Sequence, residues 1–222
     1  MTWIKICGTT SERDADLAIR AGVNALGFVL APSSRQVNDT AAYSMGRVVP
    51  RGVEKIGVFV NEAVETVAQA VRYCGLSGVQ LQGEEDAGYL SALRQALPET
   101  KLIKGASIAA LERAASLKPD AWLIDNSNGQ QRGGTGRTFD WRAALPLVQK
   151  LREPVIIAGG LNPENVGAAL ETFHPWGVDV VSGVEMYPGH KHPGLIAQFV
   201  DAVRRFDQRQ SQRRAAQKGI SH

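Results

Sequence analysis

Cysteine is scarce in this 222-residue chain, which has only Cys7 and Cys74. Two thiols make no disulfide framework, and a chain of this length can bury a core without stapling. Such sparse usage fits a reducing cytoplasm. Long apolar runs are missing too: no stretch approaches the ~18 apolar residues that cross a bilayer, so no membrane partner is expected. The N-terminus shows no basic segment leading into an apolar run, and no signal peptide is expected. Histidine is limited to His174, His190, His192 and His222, which show no metal-ligand spacing. His190-Lys191-His192 reads as a short polar turn and no metal site is expected. No linker or composition shift divides the chain.

Positive charge is confined to one end. The net charge is +3, yet the segment from Arg204 onward carries +5, which leaves residues 1–203 at about −2. The main body is therefore no basic nucleic-acid binder. The tail "RRFDQRQSQRRAAQKGISH" is polar and lacks an apolar face. Residues 207–222 are expected to be a basic, flexible end to a single domain at 1–206. Binding of RNA or an acidic partner by this tail is the lesser alternative.

Present instead is the composition of an ordinary globular enzyme, 44% hydrophobic and 21% charged. Short β-type runs alternate with amphipathic stretches. The strands are expected at 3–7, 25–30, 54–60, 78–82, 101–107, 121–125, 154–160 and 178–183. Helices are expected at 11–22, 39–49, 62–73, 86–97, 108–118, 140–151, 163–172 and 193–206. Eight βα units in about 205 residues suit an α/β protein built as a closed (β/α)8 TIM barrel better than a doubly wound sheet, which usually has fewer strands. One long polar connection, "NSNGQQRGGTGRT" at 126–138, has the composition of a lid.

A barrel of this kind carries its chemistry at the C-terminal ends of its strands. Strand one ends at Cys7, strand six at Asp125, strand seven at Gly159-Gly160 and strand eight at Ser182-Gly183. Glycines after strands seven and eight suit an anion held by backbone N–H groups; taken singly, each is equally a plain turn. Asp125 is either a turn cap or an acid or base. Cys7 is either buried filler or a reagent that something must bias toward thiolate. Strand alternation places Trp3, Lys5 and Cys7 on one face, with Ile4 and Ile6 on the helix side. Lys5 then needs a partner inside the barrel, and Asp179 on the adjoining strand eight is the expected one. Arg35 is a surface arginine or a planar fork for a substrate carboxylate.

These residues in this order resemble the phosphoribosylanthranilate isomerase family. The likeness covers about residues 3–203 and rests on "KICGTT", "GVFVN", "GVQLQGEE", "LID" followed by "GGTGRTFDW", "AGGLNPENV" and "VDVVSGVE". It implies an isomerase of tryptophan biosynthesis that carries out an Amadori rearrangement without cofactor or metal. By matching positions it implies Cys7 as general base, Asp125 as general acid and Arg35 as clamp on the anthranilate carboxylate. Gly159, Gly160, Ser182 and Gly183 would hold the phosphate, and the 126–138 loop with Gly133 and Gly134 would close over the substrate. A monomer or a homodimer is compatible with the likeness. The chain departs from the family pattern at Gln82, where histidine is usual, at Val181, where serine is usual, and at "GHKHP". The rivals are another sugar-phosphate aminoaldose isomerase, which would carry aspartate in place of Cys7, and a non-catalytic phosphate-binding barrel.

Overall fold

The structure is a computed structural model that describes residues 1–111, 117–125 and 141–219. Eight parallel strands close into a barrel: β1 (Trp3–Cys7), β2 (Ala25–Val29), β3 (Glu54–Phe59), β4 (Gly78–Leu81), β5 (Lys101–Ala106), β6 (Ala121–Ile124), β7 (Val155–Ile157) and β8 (Gly177–Val180). β8 returns to pair with β1 in the register Lys5↔Asp179. Around them lie α1 (Glu12–Arg20), α2 (Asp39–Arg47), α3 (Val64–Cys74), α4 (Ala87–Ala96), α5 (Trp141–Val148), α6 (Val166–Phe173) and α7 (Pro193–Gly219). The (β/α)8 expectation is met.

Period-two alternation sorts the strand residues into two cores. Ile4, Ile6, Leu26, Phe28, Val79, Leu81, Trp122, Ile124, Val178 and Val180 pack outward under the helices. Trp3, Ala25, Ile56, Ile103, Ala121, Leu123, Ile156 and Ala158 fill the barrel. Helix starts follow ordinary capping: Ser11, Asn38 and Asp86 each accept a backbone N–H from the third residue on, satisfying a donor that the helix itself leaves open.

Several boundaries differ from the sequence reading. Pro163 does not open a helix. The Asn162 side chain accepts the N–H groups of Glu164 and Asn165, while Asn165 accepts that of Asn162. This reciprocal pairing makes a turn, and α6 starts only at Val166. The helix expected from 108 begins as a single 3₁₀ turn at Ile108–Ala110. Strand eight stops at Val180, and Ser182–Val184 form another 3₁₀ turn. An unforeseen hairpin follows, β9 (Glu185–Tyr187) with β10 (His190–Lys191). The last helix does not end at 206. It continues to Gly219, roughly 40 Å in all at 1.5 Å per residue. Asp207, just past the expected boundary, accepts the N–H and the hydroxyl of Thr2 and so ties the end of the barrel to its beginning.

Candidate active site

The inward-facing parity of each strand carries on to its C-terminal end, and this parity assembles the mouth. Cys7 continues the series Trp3, Lys5, and Asp125 continues Ala121, Leu123. Both therefore close inward-facing rows, on β1 and just after β6, three strands apart around the ring. Cys7 is buried and its thiol is free; Asp125 is half-buried. Next to Cys7 stands Gly27 of β2. A Cβ there would fall 2.5 Å from the Cys7 Sγ, so the thiol keeps its place only because this neighbour has no side chain. Gly105 of β5 similarly leaves its space to the Gln82 side chain.

Beneath Cys7 a polar row crosses the barrel. Lys5 Nζ donates to Asp179 Oδ1 and to Gln80 Oε1, each at 2.8 Å. Gln80 Nε2 donates in turn to Gln82 Oε1 at 3.0 Å. The expected Lys5–Asp179 pair is thus present, fully buried on the lysine side. Burial alone would discharge Lys5, but the Asp179 carboxylate and the Cys7 sulfur outweigh it and hold the ammonium above its ordinary pKa. Burial pushes the Cys7 thiol up. The Lys5 ammonium, within hydrogen-bonding reach, and more weakly Lys191 pull the other way. Gln82 holds a polar place in this row without titrating.

A second charged group lies where the sequence suggested little. Arg35, from the loop after β2, is bound side-on by Glu185: Nε donates at 2.9 and 3.1 Å and Nη2 at 2.7 Å. Glu185 also pairs with Lys191 Nζ at 3.0 Å. Lys191 is wholly buried and donates to the carbonyl oxygens of Cys7 at 2.6 Å and Val181 at 3.1 Å. The segment His190-Lys191-His192 is therefore not a polar turn. It enters the second strand of a hairpin and sends its lysine under the mouth, where three acceptors compensate the burial of the charge. Alternation is the signal that marks Lys191, since both of its neighbours are the exposed or half-exposed histidines.

The glycine pairs fall at two neighbouring strand ends. Gly159 and Gly160 adopt φ of +81° and +68°, a left-handed pair that side chains rarely tolerate. Gly183 abuts the loop after β7, where an added Cβ would collide with the Leu161 carbonyl. Its lack of a side chain lets the two loops meet and is explained without any ligand. Ser182 is half-buried beside it. Gly133 and Gly134 lie outside the described residues. Among the described residues no group of three His, Cys, Asp or Glu side chains is gathered as a metal site, and no helix is long and apolar enough to cross a membrane.

The family model for N-(5'-phosphoribosyl)anthranilate (PRA) isomerase matches residues 4–202. This chain belongs to the PRA isomerase family. It is 42% identical over 204 residues to N-(5'-phosphoribosyl)anthranilate isomerase of Desulforudis audaxviator, covering 92% of this chain and 98% of that relative. PRA isomerase likeness extends to solved structures. One, phosphoribosyl anthranilate isomerase in complex with reduced 1-(o-carboxyphenylamino)-1-deoxyribulose 5-phosphate, superposes with a TM-score of 0.77 at 33% identity, covering 92% of this chain and 99% of that one. Another, the enzyme of Thermus thermophilus, gives 0.81 at 32% identity over 91% and 98%. A third describes monomers generated from the dimeric Thermotoga maritima enzyme, at 0.81 and 33% over 92% and 99%.

Proposed function

We propose that this chain converts N-(5'-phosphoribosyl)anthranilate to 1-(2-carboxyphenylamino)-1-deoxyribulose 5-phosphate. The observation that carries this reading is the pairing of Cys7 and Asp125 as inward-facing strand ends over one mouth, in a PRA isomerase barrel.

Asp125 donates a proton to the ribose ring oxygen, and the bond from C1′ to that oxygen breaks. The nitrogen lone pair fills the gap as a C1′=N iminium. Cys7, as thiolate, takes the proton from C2′, and the C2′–H electron pair forms C1′=C2′ while the iminium electrons return to nitrogen. The enolamine then ketonises: the C2′ hydroxyl loses its proton and C1′ gains one. Protons are exchanged with solvent, and no net oxidation occurs. The two groups must begin in opposite protonation states, which separate environments allow. The Lys5 ammonium supports the thiolate electrostatically against the cost of burial. Backbone N–H groups at Gly159, Gly160, Ser182 and Gly183 suit the phosphate, and the Arg35 fork suits the aryl carboxylate. The Gly133-Gly134 loop closing over the substrate belongs to the same reading.

The catalytic unit is the barrel, in a small-molecule enzyme without a nucleic-acid or membrane partner. It works as a monomer or homodimer, which gel filtration decides. Two free buried cysteines favour a cytoplasmic site of action. A fluorescence assay following loss of the anthranilate substrate tests the activity itself. Turnover by the wild-type chain and its collapse in Cys7→Ser are expected; a Cys7→Ser variant with unimpaired turnover refutes the assignment of the base.

A further inference from the structure

Arg35 and Glu185 come from opposite ends of the chain yet meet edge to edge. Nε and Nη2 of the guanidinium donate to the carboxylate, and Nη1 donates to Ser34 Oγ at 3.2 Å. A guanidinium has five N–H bonds. Among the described residues this pattern commits three and leaves one on Nη1 and one on Nη2. The remaining Nη2 hydrogen points along the end of the fork beside Nη1, the edge through which arginine can take a second carboxylate.

Glu185 is well placed to fix that orientation. Its side chain is only 3% exposed, it pairs with Lys191, and it accepts the Gly189 N–H at 3.3 Å. Lys191 is bonded to the carbonyl of Cys7. The chain of contacts Cys7–Lys191–Glu185–Arg35 therefore references the guanidinium to the residue that carries the base. A net charge of about +1 remains on the two cations and one anion, so the cluster still attracts an anion.

We infer that Glu185 is a positioning residue for substrate selection: by holding one edge of Arg35 it presents the remaining end of the fork to the aryl carboxylate. The inference rests on the reading of Arg35 as the carboxylate clamp. It predicts a defect that depends on the substrate having that carboxylate, which a merely structural role would not produce.

The experiment compares N-(5'-phosphoribosyl)anthranilate with N-(5'-phosphoribosyl)aniline, which lacks the carboxylate, as substrates of wild type, Glu185→Asp, Glu185→Gln and Arg35→Met. Glu185→Asp keeps the charge that Lys191 needs and withdraws the fork by one methylene. Its KM for the anthranilate substrate is expected to rise about ten- to a hundredfold, with kcat changed far less, while the loss on the aniline analogue stays several-fold smaller. Glu185→Gln, which keeps the length and gives up the charge, is expected to show the same selectivity and serves as the deciding variant if Glu185→Asp does not fold. Equal losses on both substrates for Arg35→Met overturn the clamp itself. A selective loss in Arg35→Met without one in the Glu185 variants leaves the clamp standing and overturns the role of Glu185.

Discussion

The two ends of the barrel are built from different chemistry. At the N-terminal end Trp3 stacks on Trp176 with ring centroids 5.0 Å apart. Lys101 lies over both rings and pairs with Glu54 at a partly exposed site. Large rings fill this end, and its charges keep access to water. At the C-terminal end the inward row carries Cys7, Gly27, Gly105 and Ala158, small groups, with the Cys7 thiol and the Gln82 side chain taking the places beside the two glycines. The charges there, on Lys191 and Glu185, are buried and are held by each other, by Arg35, by the Gly189 N–H and by backbone carbonyls. One end is a plug whose rings contribute stability. The other spends stability on buried ions, which an active site needs.

The sharpest way to break this comparison is a pair of substitutions, one at each end. Cys7→Ala should lower kcat by roughly 10²- to 10⁴-fold and leave the melting temperature close to wild type. Trp3→Ala should cost about 3–5 kcal/mol of stability and leave kcat of the folded fraction nearly intact. If calorimetry and steady-state kinetics gave both variants the same mixed phenotype, the division between plug and site would be lost.

Next in size is the row beneath the thiol. Lys5→Met with Asp179→Asn removes the pair without stranding either charge. The Lys5 ammonium favours the thiolate more than Asp179 opposes it, so the double variant should shift upward the limb of the pH–rate profile that reports the thiol and lower the rate at neutral pH. An unmoved limb in kcat/KM against pH would detach Lys5 from the base. A smaller effect concerns the chain end. Truncation after Phe206 removes the Asp207 contacts to Thr2 and should cost roughly 1–3 kcal/mol. Truncation after Gln210 keeps those contacts and should cost much less, with turnover unchanged; denaturant titration separates the two.

The smallest effect is the acid response of the mouth. Burial pushes the Glu185 carboxylate up, but hydrogen bonds from Arg35 and the charge of Lys191 win, and its pKa lies below the ordinary range. A carboxylate lowered in this way stabilises the fold above its unfolded pKa of about 4.3. That contribution disappears as pH falls through the lower folded value. Glu185→Gln should therefore show a shallower loss of stability below about pH 4, measured by urea unfolding across pH.

Alternation made the inner half of this architecture legible. With Ile4 and Ile6 on the helix side, Lys5 has to face inward, and the neighbouring strand offers Asp179. The register Lys5↔Asp179 and the 2.8 Å pair follow that logic. The Arg35–Glu185–Lys191 cluster was not legible in the same way. It depends on a hairpin after β8 whose strands, of three and two residues, are too short for a periodic run, and on a contact between residues 150 positions apart. Two histidines flanking Lys191 disguised a fully buried cation as a surface turn. Gln80 gives no signal in the sequence because a glutamine in a β-type run carries no charge to demand a partner, although it bridges Lys5 to Gln82.

The closure between β8 and β1 also sets the order in which the site comes into being. Cys7 leaves the ribosome long before Asp179, Val181, Glu185, Lys191 and Asp207, which seat its strand and its carbonyl. Until those arrive, one flank of the first strand has no neighbour and the thiol has no finished surroundings. A nascent chain stalled short of this segment is therefore inactive for a geometric reason, however well its earlier βα units have folded.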